Sequence, residues 1–253
     1  MSRTEIELPT ADGEARAFVF KPAQGQGPWP GAIIFMDAPA IRPALFEMGE
    51  RLAQAGYVVL LPDLFWRAGR YDPPNIAAAR AGDPDAQAVF AKLRGSTGVT
   101  RQMTDIQACL DYLDKQPDVA PGKVGVAGYC MGGAIALRAA AAHPDRIGAA
   151  ASFHGGNMAT DDERSPHLQA DKIKAKVLVA GADQDGSFDE AQKERLDAAL
   201  RQAGVDAEVS IWQGCRHGWV PTDMAVHNPE GAERHWRELI ALFDETLKQP
   251  QPA

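Results

Sequence analysis

Cysteine is scarce in this chain: Cys109, Cys130 and Cys215 are the three it has in 253 residues. Three is too few and an odd count for a disulfide framework, so a reducing, cytoplasmic setting is expected. Basic residues are outnumbered 26 to 34, giving a net charge of -8. No basic face can therefore hold a phosphate backbone, and nucleic acid is not an expected partner. No apolar run approaches membrane-spanning length, and Met1 to Leu8 lacks a basic start followed by an apolar stretch, so no membrane association is expected. Internal repeats and glycine-rich phosphate loops are missing, and no His or Cys spacing suits a metal, so neither metal nor cofactor is expected.

What the chain does have is apolar side chains, 45% of the total, enough to bury a sheet. Residues 4–8 and 15–21 alternate around Ala11-Asp12-Gly13-Glu14 and read as an antiparallel hairpin. An α/β rhythm follows. Residues 31–36 and 57–61 read as strands around a helix at 43–55, and further helices are expected at 100–115, 130–142, 187–203 and 230–247. Such alternation implies a mostly parallel sheet with helices on both faces. Residues 1–248 read as one domain, monomeric or homodimeric, with a possible cap segment near 66–98, where Tyr71-Asp72-Pro73-Pro74 and Ala81-Gly82-Asp83-Pro84 interrupt the pattern. The polar, proline-broken residues 249–253 read as a frayed tail.

Gly128-Tyr129-Cys130-Met131-Gly132-Gly133 joins an apolar strand, Lys123 to Ala127, to an apolar helix starting near Ala134. A thiol on so sharp a strand-to-helix turn is placed as a nucleophile, and the flanking glycines leave room for strand and helix to approach. The helix start favours thiolate over thiol, and the Met131 N–H is positioned to receive an oxyanion. As a bland alternative, Cys130 is a small buried residue like many free cysteines. Cys109 has that reading, on the apolar face of a helix with Met103, Ile106, Leu110 and Leu113.

Partners for the thiol should follow in the order acid, then histidine, each after a later strand. The strand-like run Lys176 to Ala180 leads into Gly181-Ala182-Asp183-Gln184-Asp185-Gly186. Asp183 and Asp185 compete; Asp185 is favoured because Ser187-Phe188-Asp189-Glu190 resembles a capping box, which sets Asp185 just outside a helix. The alternating run Ala207 to Trp212 then leads to His217, in a loop between small and aromatic residues. His154 emerges from another strand and could line the pocket, but one histidine is enough for acyl transfer and no catalytic role is assigned to it. His167, His227 and His235 read as surface residues.

These motifs resemble the dienelactone hydrolase family of α/β-hydrolases, also called carboxymethylenebutenolidases. The resemblance extends to Phe35-Met36-Asp37-Ala38 and Leu61-Pro62-Asp63-Leu64-Phe65-Trp66-Arg67. It implies an α/β-hydrolase fold without a cofactor, with Cys130 as nucleophile, His217 as base and Asp185 as its orienter. It further implies that Asp37, where the family usually has glutamate, touches the resting thiol, that the Ala38 N–H is the second oxyanion donor, and that Arg67 binds a substrate carboxylate. The chain departs from the pattern after His217, where Trp219, Val220 and Pro221 stand in place of an arginine.

The expected activity is hydrolysis of a small-molecule ester or lactone through a thioester acyl-enzyme. Thioesterase or acyltransferase activity on a bulkier acyl group is an alternative, with Trp66 and Trp219 forming an apolar wall. From another class, the same fold could be a non-catalytic small-molecule binding module.

Overall fold

The computed structural model describes residues 2–248, so the expected tail lies outside the described residues. The chain runs β1 (Ser2–Thr10), β2 (Gly13–Lys21), β3 (Gly31–Phe35), α1 (Pro43–Gln54), β4 (Val58–Pro62), α2 (Ile76–Arg80), α3 (Pro84–Gly95) and α4 (Val99–Asp114). It continues with β5 (Val124–Tyr129), α5 (Met131–Ala142), β6 (Ile147–Phe153), β7 (Lys176–Ala182), α6 (Glu190–Gln202), β8 (Ala207–Trp212) and α7 (Pro229–Leu247). A 3-10 turn covers Trp66–Ala68, and two short 3-10 turns joined by a kink at Gln169 cover Pro166–Lys172.

The eight strands form one sheet in the order β1-β2-β4-β3-β5-β6-β7-β8. The hairpin β1/β2 is antiparallel and joins β4 antiparallel; every pair from β4 to β8 is parallel. The central strands read as nearly unbroken apolar runs because helices cover them on both sides. Two glycines of β5 show it: a Cβ at Gly125 would meet the Phe243 ring of α7 at 2.7 Å, and one at Gly128 would meet the Gly132 carbonyl of α5 at 1.9 Å. Residues three apart on a strand point to opposite faces. α1 joins α7 through the Arg51–Glu233 ion pair, and α7 packs inward through Trp236, Leu239 and Phe243. This is the α/β-hydrolase fold. Among the described residues no helix is long and apolar enough to cross a membrane.

One local expectation is corrected. The N-cap of α6 is Asp189, whose side chain accepts from the Gln192 N–H, whereas Ser187 donates to Asp185 instead of opening a capping box. A parallel sheet gathers the loops after its strands at one edge, where Met36–Ala38, Cys130, His154, Asp185 and His217 all emerge.

Candidate active site

Cys130 occupies the turn between β5 and α5 with φ 53° and ψ −113°, a conformation that a residue with a Cβ adopts only where its surroundings enforce it. The enforcement is steric. Gly128 admits the Gly132 carbonyl, and a Cβ at Gly132 would stand 2.2 Å from the Phe35 carbonyl of β3. The Cys130 N–H is shared between the Phe153 carbonyl, at 3.1 Å, and Nδ1 of His154, at 3.0 Å.

His217 Nε2 lies 3.0 Å from Cys130 Sγ, and His217 Nδ1 lies 2.6 Å from Asp185 Oδ2. The other Asp185 oxygen accepts from the Ser187 N–H and hydroxyl. Asp183 does different work: it accepts from the Gly214 N–H and donates its own N–H to Cys215, bracing the turn that leads to His217. Burial pulls the His217 pKa down, but the bonds to Asp185 and Cys130 outweigh it and push the pKa up to about 10. Burial likewise opposes ionisation of Asp185, and its bonds from His217 and Ser187 hold it down at about 2. The arrangement therefore favours carboxylate and imidazolium side by side.

His154 is fully buried behind Cys130, with Trp219 edge-on to its ring at 5.0 Å. Burial first, then the neighbouring His217 and His235, holds its pKa well below the ordinary value. It accepts at Nδ1 and so carries its proton on Nε2. The expectation that His154 could line the pocket is corrected: it supports the turn from beneath. His235 is also buried, against the Tyr129 hydroxyl at 2.7 Å, and is no surface residue. Its spacing to Leu239 and Leu242, on the apolar face of α7, was the signal.

A cavity of about 1120 Å³ opens over the thiol, lined by Cys130, Met131, Ala38, Asp185 and His217 on the sheet side. Ile76, Ala79, Phe90 and Arg94 of α2 and α3 form its opposite wall. Ala38 and Met131 thus lie beside the thiol as expected, and no backbone carbonyl takes up the Ala38 N–H among the described residues.

Four expected site residues are elsewhere. The Arg67 guanidinium makes a double bond to Asp105, at 2.9 Å on both sides, and pairs with Asp12 at 2.7 Å. Trp66 donates Nε1 to the same Asp105 and borders a separate surface hollow with Glu5 and Arg70. Trp219 is fully buried and offers the cavity no face. Asp37 gives both oxygens to Arg42, at 2.5 and 2.9 Å, and makes no hydrogen bond to Cys130 among the described residues. The reason is competition: a buried carboxylate is held far more strongly by a guanidinium than by a thiol. Arg42 is a residue that the sequence reading missed. Its signal was a lone cation between Ile41 and Pro43, five positions from an acid.

The family model described as "Dienelactone hydrolase family" matches residues 15–247. The chain belongs to the dienelactone hydrolase family. A protein of Synechocystis sp. provisionally named carboxymethylenebutenolidase is 26% identical, over 97% of each chain. A crystal structure of a Klebsiella pneumoniae protein, provisionally named a dienelactone hydrolase, superposes with a TM-score of 0.84 at 23% identity, covering 96% of this chain and 98% of that one. A dienelactone hydrolase-like promiscuous phosphotriesterase from metagenomic libraries superposes with a TM-score of 0.76 at 22% identity, over 97% and 98% of the two chains. Membership in the family makes this chain a hydrolase of the dienelactone hydrolase type.

Proposed function

We propose that the chain hydrolyses carboxylic esters or lactones without a cofactor, through a covalent thioester on Cys130. The observation that carries this reading is the unbroken hydrogen-bonded line from Asp185 through His217 to Cys130. The Cys130 thiolate attacks the acyl carbonyl carbon, and the N–H groups of Met131 and Ala38 receive the oxyanion. Collapse expels the alkoxide, which takes a proton from His217. The imidazole then removes a proton from water, which attacks the thioester and frees the acid and the thiol. Asp185 keeps the imidazole oriented and stabilises its charged form. Amides are disfavoured because an amine leaves less readily than the thiolate.

The same reading takes α2 and α3 as a cap over a single hydrolase unit, since both lie against the cavity. Three free cysteines support a reducing, cytoplasmic location. The cavity volume and its apolar wall at Ile76 and Phe90 favour an acyl group longer than a small lactone.

Turnover of a neutral p-nitrophenyl ester and of dienelactone, in reductant, tests the proposal. Wild type should hydrolyse at least one, with a rapid first turnover and an acyl mass on Cys130, while Cys130→Ala and His217→Ala should lose on the order of 10³-fold or more. Full activity in either variant refutes the assigned site.

A further inference from the structure

Two arginines that line the cavity, Arg138 and Arg94, make no ion pair among the described residues. Arg138 of α5 lines the same cavity as Cys130 and His217. Its Nε and Nη2 both point to one acceptor, the Arg164 carbonyl, at 3.3 and 3.1 Å. No ion pair holds it among the described residues; Asp162, which acts on it through space, is itself bonded to Arg164. Arg138 is half-buried, and burial lowers its pKa from the ordinary value. A guanidinium drawn out of water without a counter-ion is a site prepared for an anion. Arg94, exposed at the end of α3, stands over the Phe90 ring at 5.7 Å and lines the same cavity. Arg67, by contrast, already holds two carboxylates.

The helix sets the spacing. Ala134 and Arg138, four residues apart, share one face of α5, and Cys130 stands at the turn that begins the helix. The eight residues from Cys130 to Arg138 correspond to about 12 Å at the rise of a helix. Met131, Ala134, Phe90 and Ile76 give the same cavity apolar lining, with Gln87, Asn157 and Ser187 as further polar groups. A ligand matching this set of surfaces has a carbonyl at one end, an apolar chain in the middle and an anion at the other end.

Resting on the hydrolase reading above, we propose that Arg138, with Arg94, forms a distal anion subsite, and that the substrate is a half-ester of a long-chain dicarboxylic acid. The free carboxylate sits on the acyl side and stays attached to Cys130 in the thioester. Sequence reading missed Arg138 although it is the lone cation of an otherwise apolar helix, Met131 to Ala142.

The test compares mono-p-nitrophenyl sebacate with its methyl ester, which has the same length without the charge, using the full chain in reductant. Wild type should favour the charged substrate about tenfold or more in kcat/KM, mainly through KM, as one charge-assisted hydrogen-bonded contact would give. The preference should shrink with salt, disappear in Arg138→Gln and persist in part in Arg138→Lys. Equal rates for the two esters in wild type, or an undiminished preference in Arg138→Gln, overturns the proposal. So does a stronger preference for a neutral acyl ester whose charge is on the leaving aryl group. A separate arm measures binding of sebacate itself to Cys130→Ala. Binding that needs Arg138 supports the subsite even if neither ester is turned over, which would refute only the hydrolase reading; no binding counts against the subsite.

Discussion

Arg42 clamps Asp37 from one side and Asp223 from the other. Its Nη1 and Nη2 meet the two Asp37 oxygens at 2.5 and 2.9 Å, while Nε meets Asp223 at 2.6 Å. Asp37 precedes Ala38, beside the thiol, and Asp223 lies six residues after His217. One buried cation thus ties the loop after β3 to the segment that follows the histidine. Arg42→Met should leave Asp37 buried and unpaired, at a cost of about 3–5 kcal/mol. Urea midpoints at constant m-value would show it, and Asp37→Leu combined with Arg42→Met should recover much of the loss.

Arg67→Gln should behave as a stability variant. Its partner Asp105 is 2% exposed, so the broken pair should cost about 3–5 kcal/mol, with little change in the KM of a carboxylate-bearing ester. A large rise in KM would restore Arg67 to the substrate site.

Cys130→Ser keeps a nucleophilic atom next to His217 but replaces a thiol with a less acidic hydroxyl. A hydroxyl must lose its proton during attack, so kcat/KM should drop by about a hundredfold or more, the scale of assistance that a positioned base contributes. Retained activity would show that the site works as a serine hydrolase with sulfur substituted for oxygen.

The pKa values of His217 and His154 should be displaced in opposite directions from that of a free imidazole. The His217 pKa is raised to about 10 from 6.5, so it stays charged through neutral pH, and its contribution to stability is full below 6.5 and lost as pH rises through about 10. The Asp185 pKa is lowered from 3.8 to about 2; its contribution is present above 3.8 and lost as pH falls through about 2. His154, lowered by burial, should remain neutral with its proton on Nε2. Imidazole nitrogen shifts measured by NMR would resolve both. Asp185→Asn should return His217 toward its ordinary pKa, and an unchanged titration in that variant would refute the assigned cause.

Gly132→Ala should fail sterically. The added methyl would stand 2.2 Å from a backbone oxygen of β3, which cannot rotate aside as a side chain would. The cost should reach or exceed the upper end of the ~1–3 kcal/mol typical of overpacking. Thermal unfolding of the purified variant measures it.

The turn around Cys130 could be read from sequence because its requirements are local: two glycines, a strand before and a helix after. The order of Asp185 and His217 was legible for a related reason, since a parallel sheet places each residue that follows a strand at the same edge. The choice of Asp185 over Asp183 was also reached in sequence, but partly through a capping box that does not form; Ser187 instead orients the carboxylate directly. Arg67 and Asp37 were different. Their positions fitted the family's pattern, yet the partners that claim them, Asp105 and Arg42, are set by how α4 and the loop before α1 pack.

The sequence by itself therefore determined the individual strands, the turn and the acid-histidine order, because strand periodicity and turn formation depend on residues close together in the chain. Only the tertiary structure decided which charges remain free. A guanidinium pairs with whichever carboxylate folding brings within reach, and that competition left Arg138 facing the cavity while Arg42 and Arg67 were taken up elsewhere.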